Sequence, residues 1–506
     1  MSLLSDIVKS PLLRRVSAAA RAQATQMKVL KRLLLKAGNT AFGQEYHFSD
    51  IVFSDHVVQE YQKLVPWHDY EKMHPWWQRA FDGEKSVTWP GNIKFFALSS
   101  GTSEGSSKYI PVTSQTIKAI RRASIKQVVA AGRCKAIPKD CFAKHSLVVG
   151  GSTDLNFNGT NYSGDLSGIT TSHVPFWYEP FTKPEPAIRR TKNWEEKLDE
   201  IVKNAPRWDV GIIAGVPAWI QILLERIIKE YDLNHIHDIW PNFMVYVHGG
   251  VSISPYKDSL NKLCGKPITY WDSYLASEGY FAYQTKPDAP GMKMILNTGV
   301  FYEFVPFDEN NFDADGNLLA NAHFLTIKDV KPNVEYALLI STCSGAWRYF
   351  IGDVIEFLNT TKFEIKIIGR TKHYLSLCGE HLSVDNMNAA LIDTCKKFGI
   401  ISNEYTVIGH THEGRHAHHW YVGTDRLVDK ETFKQFLDQR ICELNDDYAV
   451  ERKHALPYIF LTFLPNEKFN EFLALKGKQG GQIKFPRVLK GSIKDDWEQF
   501  VGKESL

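Results

Sequence analysis

Apolar positions recur every three to four residues between 11 and 37, which predicts one long amphipathic helix stopped by Gly38-Asn39. Helical spacing returns at 193–204 and 217–231, and helices dominate from 115 to 240. Short runs of strand character stand between them at 95–98, 243–247 and 269–273, then at 300–306, 335–341 and 364–368. The Asp/Asn/Gly-rich stretch 308–317 separates two of these runs, and the region predicts a small β-barrel or third sheet. The final stretch reads as a strand, a helix over 384–398 capped by Ser383, strands at 405–410 and 418–423, a helix over 430–445, a strand at 458–463 and a helix over 467–475. That order predicts a compact α+β unit of ferredoxin-like type. The fold class is therefore α/β and multidomain, a large N-terminal unit of sheets and helices followed by a small α+β unit.

Composition narrows the class. At 506 residues the chain exceeds what one core holds. A net charge of +3 gives no broad electrostatic case for nucleic acid or an anionic membrane, so neither partner is expected. Seven cysteines without a C-x-x-C pair read as reduced thiols, which points to a cytoplasmic protein. The nearest approach to a spanning run, 211–228, is broken by Pro217, Gln221 and Glu225. The basic, Ala/Ser-rich start resembles a transit peptide in composition, but Asp6 and the continuous helical period favour an ordinary helix.

Candidate chemistry begins at Phe95-Phe96-Ala97-Leu98-Ser99-Ser100-Gly101-Thr102-Ser103-Glu104-Gly105-Ser106-Ser107-Lys108-Tyr109-Ile110-Pro111-Val112. A strand runs into a turn of small hydroxylated residues whose backbone N–H groups can converge on phosphate. A Walker loop fails on spacing, because three residues rather than four separate Gly101 from Gly105 and Lys108 comes late. Gly101-Thr102-Ser103-Glu104-Gly105 satisfies G-x-S-x-G, but a nucleophile elbow needs a helix next, and 108–112 returns toward strand. The pattern S-S-G-T-S-x-G-x-x-K-x-x-P resembles the phosphate loop of the adenylate-forming superfamily, and more narrowly the Gretchen Hagen acyl acid amido synthetases. The segment from Thr40-Ala41-Phe42-Gly43 to His47-Phe48, read as a loop, resembles another short motif of that family.

Four further segments carry the resemblance in order. Gly249-Gly250 follows a strand where the superfamily lays backbone against adenine. Tyr274-Leu275-Ala276-Ser277-Glu278 resembles the aromatic-x-x-Ser/Thr-Glu motif, which implies Tyr274 on adenine, Ser277 near the α-phosphate and Glu278 on Mg²⁺. Leu275-Ala276 departs from the family's usual Ala/Gly-Ser. Tyr349-Phe350-Ile351-Gly352-Asp353 resembles Y-R-x-G-D, so Asp353 inherits the ribose hydroxyls, while Phe350 replaces the motif's arginine. Gly369-Arg370 and the following Leu375-Ser376-Leu377-Cys378-Gly379-Glu380 resemble the superfamily's hinge, which implies an N-terminal unit at 1–369, a hinge at 370–383 and a mobile C-terminal unit at 384–506.

The basic, glycine-rich stretch 475–487 resembles the mobile loop that carries the catalytic lysine; Lys484, in K-x-P-R, is the candidate and Lys478 the reserve. His410, His412, His416, His418 and His419 read as residues of solvated strand faces rather than metal ligands.

The resemblance implies an ATP- and Mg²⁺-dependent acyl acid amido synthetase that adenylates a carboxylic acid, releases pyrophosphate and passes the acyl group to an amino acid amine. Ser99, Ser100, Gly101, Thr102, Ser103 and Lys108 would hold the phosphates; Gly249, Gly250, Tyr274, Ser277, Tyr349, Asp353 and Arg370 would hold the nucleotide; Glu278 and Lys484 would be catalytic. The expected partners are a small carboxylic acid and an amino acid, the former apolar on the strength of Trp177, Tyr178 and Trp219 and of an aromatic loop at 150–186 that could wall a pocket or plug the core. A monomer is the expectation. The alternatives are an acyl-CoA-type ligase with a thiol acceptor and a serine hydrolase using Ser103.

Overall fold

The computed structural model describes residues 17–502 apart from 100–107, 136, 251–252, 309, 314–315, 372–374, 376, 379, 381, 383, 401, 403, 425, 427 and 477–484. Helix α1 (Ala18–Ala37) starts where the Ser17 hydroxyl accepts from the Ala20 N–H. Its buried stripe, Val29, Leu30, Leu33, Leu34 and Ala37, is the one its periodicity predicts. The 40–48 stretch is not a loop: Thr40 caps a short helix over Ala41–Glu45 by accepting from the Gly43 N–H. Helices α2 (Val57–Leu64) and α3 (Tyr70–Phe81) complete this first layer.

Strands β1 (Phe95–Ser99) and β2 (Lys108–Val112) pair antiparallel, with Ser99 opposite Lys108, and α4 (Ser114–Gly132) follows. After β3 (His145–Val148), the 150–186 stretch is more ordered than its composition suggests. It holds β4 (Asn156–Phe157), β5 (Tyr162–Gly164) and β6 (Thr182–Lys183), and two of these extend β1 and β2 into a sheet ordered β2-β1-β5-β4.

The chain then alternates helix and strand through α5 (Trp194–Asn204), β7 (Val210–Ala214), α6 (Pro217–Glu230), β8 (Val245–Gly249), α7 (Ser254–Leu263) and β9 (Thr269–Ala276). β3, β7, β8 and β9 run parallel, so their carboxyl ends share one edge, where open α/β sheets bind ligands. β10 (Gly279–Tyr283) returns antiparallel to β9.

β11 (Met292–Met294), β12 (Val300–Pro306), β13 (Glu335–Thr342), β14 (Tyr349–Asn359) and β15 (Glu364–Arg370) correct the expectation of a small barrel or third sheet. They continue an 11-stranded sheet ordered β12-β13-β14-β15-β11-β10-β9-β8-β7-β3-β6. The physical link is β11, three residues that pair with β10 on one side and β15 on the other while Met292 and Met294 are buried. α1 lies on β12, where the Gln26 amide donates to the carbonyls of Leu296 and Val300 and accepts from the Tyr302 N–H.

The C-terminal unit comprises α8 (Val384–Phe398), β16 (Tyr405–His412), β17 (Arg415–Gly423), α9 (Lys430–Leu444), α10 (Asp446–His454), β18 (Tyr458–Leu464), α11 (Asn466–Leu475), β19 (Val488–Leu489) and α12 (Gly491–Gly502). It is α+β but not ferredoxin-like. The β16–β17 hairpin is flanked by β18 and β19, each parallel to its neighbour. Among the described residues no strand before α8 joins this sheet; that segment contributes only a Leu375–Leu382 bridge, and β19 takes the slot beside β16.

One hydrophobic cluster joins Leu223 and Ile227 of α6 and Leu260 of α7 to Met387 and Leu391 of α8 and Trp420 of β17. The C-terminal unit is thus docked through apolar side chains removed from water, the dominant favourable term in such packing. Among the described residues no helix is long and apolar enough to cross a membrane.

Candidate active site

The sheet's carboxyl edge and the β14–β15 pair converge on Asp353. This residue lies opposite Arg370 in the β14–β15 ladder, and the Arg370 Nε stands 3.0 Å from its Oδ1. The other oxygen accepts the Tyr274 hydroxyl at 2.5 Å. Tyr274 is buried with its ring edge-on to Phe281, so it offers this corner its hydroxyl. The carboxylate and the nearby Glu278 push the Tyr274 pKa further up than burial alone would.

Four residues beyond Tyr274 stands Glu278, at the tip where Ala276 and Gly279 close the β9–β10 hairpin. Glu278 is buried and, among the described residues, has no cation within 4.0 Å. Burial, then the charge of Asp353, lifts its carboxyl to about 7, against the opposing pull of its own backbone N–H, Arg370 and Lys108. Tyr349, buried at the start of β14 against Trp77, feels the charge of both Glu278 and Arg370. Lys108 opens β2, with its ammonium 5.0 Å from the Tyr70 ring centroid. Two carboxyls, two cations and two tyrosine hydroxyls, from four strands and the β9–β10 turn, thus stand within electrostatic reach of one another.

The glycine pair reaches the same place through β9. Gly249 lies opposite Ser273, the residue before Tyr274, and the Ser273 hydroxyl donates to the His248 carbonyl at 2.7 Å. A Cβ on Gly249 would stand 2.4 Å from the Ser273 carbonyl oxygen, so no other residue fits there. Gly249→Ala is expected to lower stability by about 1–3 kcal/mol through overpacking, with loss of nucleotide affinity, measured by thermal unfolding and by nucleotide titration.

Ser277 occupies the β9–β10 turn beside Glu278. Ser100, Gly101, Thr102, Ser103, Lys478 and Lys484 lie outside the described residues; Ser99 and Lys108 fix the two ends of the phosphate-loop candidate. Phe485 packs on Trp497, and the carbonyls of Pro486 and Arg487 accept from Thr406 and Val407, which ties the residues after Lys484 to β16.

Three expectations are corrected. Phe176 and Trp177 are 88% and 61% exposed, so they do not plug the core. Trp219 packs against Trp194 with its ring tilted and donates to Glu451 of the C-terminal unit, 3.0 Å away, and so it serves the interface between the units rather than an acyl pocket with Trp177 and Tyr178. His416 and His418 are not solvated: both are buried, and the His418 Nε2 lies 2.9 Å from Glu380.

Sequence reasoning also missed Arg348. It precedes Tyr349 and turns away from the nucleotide corner onto buried Glu303, with Nε 3.0 Å from Oε2. A basic residue just before the motif was the available signal.

The chain matches one known family along most of its length. The model described as "GH3 family N-terminal domain" matches residues 14–149 and 150–268, the central-domain model matches 293–370 and the C-terminal-domain model matches 385–492. Indole-3-acetic acid-amido synthetase GH3.10 of Arabidopsis thaliana is 23% identical over 65% of this chain and 68% of its own length. Jasmonoyl–L-amino acid synthetase JAR6 of Nicotiana attenuata is 21% identical over 70% of each chain. Among solved structures, the GH3.15 acyl acid amido synthetase superposes with a TM-score of 0.59 at 16% identity, covering 98% of this chain and 95% of that one. A 2-hydroxyisobutyryl-CoA ligase gives 0.58 at 13% identity, covering 96% and 93%. Matched from residue 14 to 492, with the fold of the adenylate-forming enzymes around its Asp353 corner, the chain belongs to the GH3 family and is an amide-forming ligase.

Proposed function

We propose that the chain activates a small carboxylic acid with Mg-ATP and joins it to the amine of an amino acid. The observation that carries this is the buried Asp353 carboxylate, held by Tyr274 and Arg370 and facing Glu278. A carboxylate fixed on two sides is suited to accept hydrogen bonds from paired ribose hydroxyls.

The acid's oxygen attacks the α-phosphorus, the bond to pyrophosphate breaks, and an acyl-adenylate remains. The amine nitrogen then attacks the acyl carbon, the bond to AMP breaks, and the amine gives up a proton. The first step brings negative charges together and the second develops negative charge on the acyl oxygen and the leaving AMP, so positioning and charge neutralisation dominate. Asp353 and Tyr274 fix the ribose end, the Gly249-Gly250 backbone lies against the base, and Lys108 with Ser99, Ser100, Gly101, Thr102 and Ser103 holds the phosphates. Arg370 and Tyr349 keep Asp353 and Glu278 in register. A buried acid without a cation of its own fits a divalent metal, and Glu278 would hold Mg²⁺, which offsets phosphate charge when bound. Lys484 would stabilise the α-phosphate as pyrophosphate leaves. The C-terminal unit, 384–506, would rotate on a hinge at 370–383 to admit the amine to the acyl group carried by the unit before it, 1–369. We place the enzyme in the cytoplasm as a monomer.

Pyrophosphate release should require Mg-ATP and a carboxylic acid, rise with an amino acid, and fall by about 10²–10³-fold in Lys484→Ala. Stimulation by coenzyme A instead would replace the acceptor. Fluorophosphonate labelling of Ser103 without any pyrophosphate release would overturn the reading in favour of a hydrolase.

A further inference from the structure

The docked interface between α6 and the C-terminal unit buries an acid that the chemistry above does not use. Glu451, on α10, accepts the Trp219 indole N–H from α6 at 3.0 Å, while its second oxygen is buried without a hydrogen-bond partner. Cys378, from the segment before α8, lies between Glu451 and a second buried acid, Glu380. Glu380 is held toward its ionised form: burial opposes its charge, but His418 and the N–H groups of Cys378 and Leu377 outweigh it and hold the carboxyl down at about 2. From α7, Tyr256 donates to the Leu377 carbonyl at 3.1 Å, within electrostatic reach of both acids. Asp447, on the same helix as Glu451, adds further negative charge.

The charges that act on Glu451 are those of the acids Glu380 and Asp447, and its donors, Trp219 and Cys378, are neutral. The basic groups of this interface face other acids: His418, His416 and Lys490 act on Glu380, His454 pairs with Glu195 of α5, and Arg415 pairs with Glu225 of α6. Burial, followed by the charges of Glu380 and Asp447, pushes its carboxyl up to about 8. An uncharged Glu451 satisfies Trp219 at no electrostatic cost. An ionised one sets two buried carboxylates against each other, and undocking is the way to hydrate it.

We propose that Glu451 and Trp219 form a proton-dependent latch that positions the C-terminal unit against α6 and releases it for rotation when Glu451 ionises. The latch rests on the two-step reading above for its role, though not for its existence. A group whose pKa is higher docked than free holds the docked form below the free value and loses it as pH rises through the docked value. The docking constant should therefore fall about tenfold per pH unit from about 4.5 to about 8 and level off above that.

The test is small-angle scattering of the whole chain from pH 6 to 9 without substrates, alongside the pH profiles of pyrophosphate release and amide formation. The wild type should expand with rising pH. Glu451→Gln, which keeps the acceptor and cannot ionise, should stay compact throughout and lose the pH dependence of amide formation. Trp219→Phe removes the hydrogen bond that crosses the interface and so weakens the docked form, and its expansion should move to lower pH. Scattering that does not change with pH in the wild type, or Gln and wild-type curves that coincide, overturns the latch even where both half-reactions run. A pH-dependent transition in a protein that never releases pyrophosphate overturns the ligase reading and leaves the latch standing.

Discussion

Glu278→Gln is expected to lose acid-dependent pyrophosphate release by about 10³-fold while the protein, assayed at pH 8 without metal or nucleotide, becomes harder to unfold. The two effects have one origin. Glu278 is a buried carboxyl raised to about 7 by desolvation and by Asp353, so the folded chain holds its proton more tightly than the unfolded chain does. Its contribution to stability is complete below about pH 4.5 and is lost as pH rises through about 7. The cost at pH 8 is at most about 3 kcal/mol, from a shift of roughly 2.5 units at 1.36 kcal/mol each. Glutamine has nearly the same shape and no proton to lose, so that cost disappears.

A divalent cation should reverse the trend in the wild type alone. Mg²⁺ competes with the proton for Glu278, so wild-type unfolding above pH 7 should shift upward with added Mg-nucleotide, and the glutamine variant should not respond at this site. At limiting Mg-ATP the rate should also fall below about pH 7 as the carboxyl of the free enzyme protonates. Thermal unfolding from pH 5 to 9, with pyrophosphate release over the same range, checks all of this. A variant that keeps its rate, or one whose stability follows pH as the wild type does, would remove Glu278 from the metal site.

The corner around Asp353 was legible because its members follow strands in a fixed order. Tyr274 and Arg370 lie near strand ends, Glu278 at a hairpin tip and Asp353 beside Gly352 within β14, places where few residue types do the work, so a short pattern marks them. Pairs closed by the tertiary fold leave no such mark. Trp219 and Glu451 are 232 residues apart, and nothing in either helix announces the other. His418 reads as solvated from the sequence because it is one of five histidines on the arms of a hairpin with no other ligand at metal spacing, but β17 lies in the middle of its sheet and shares a buried cluster with α8 and the docked α6–α7 layer. The barrel expectation failed on β11, which at three residues is too short to register as a period yet determines which sheet the next strands join. The same length problem hid β4, β5 and β6 in a stretch that reads as loop.

Arg348→Met should be the most damaging single change to the fold, at about 3–5 kcal/mol. The Arg348 and Glu303 side chains are 3% and 1% exposed, and the guanidinium also donates to the carbonyls of Gln62 and Val65 at the end of α2. Methionine removes the cation and leaves Glu303 charged in a core, with only the Gln62 amide as donor. A buried ion pair need not stabilise relative to apolar residues, but half of one costs heavily. Arg348→Met with Glu303→Leu should therefore recover most of the loss, because no lone charge remains. Recovery should be incomplete: the α2 carbonyls lose their donor, and residue 348 still sits at a φ of 40° that disfavours any side chain. The pair matters to the site through β13 and β14. Arg348 takes its N–H to the Ser341 hydroxyl and hands the chain to Tyr349, four residues before Asp353. Denaturant unfolding of the single and double variants separates the contributions. The single variant should lose nucleotide binding together with structure, and the double variant should regain both. A double variant that folds yet binds no nucleotide would show that Arg348 acts on the corner directly, against the geometry that turns it toward Glu303.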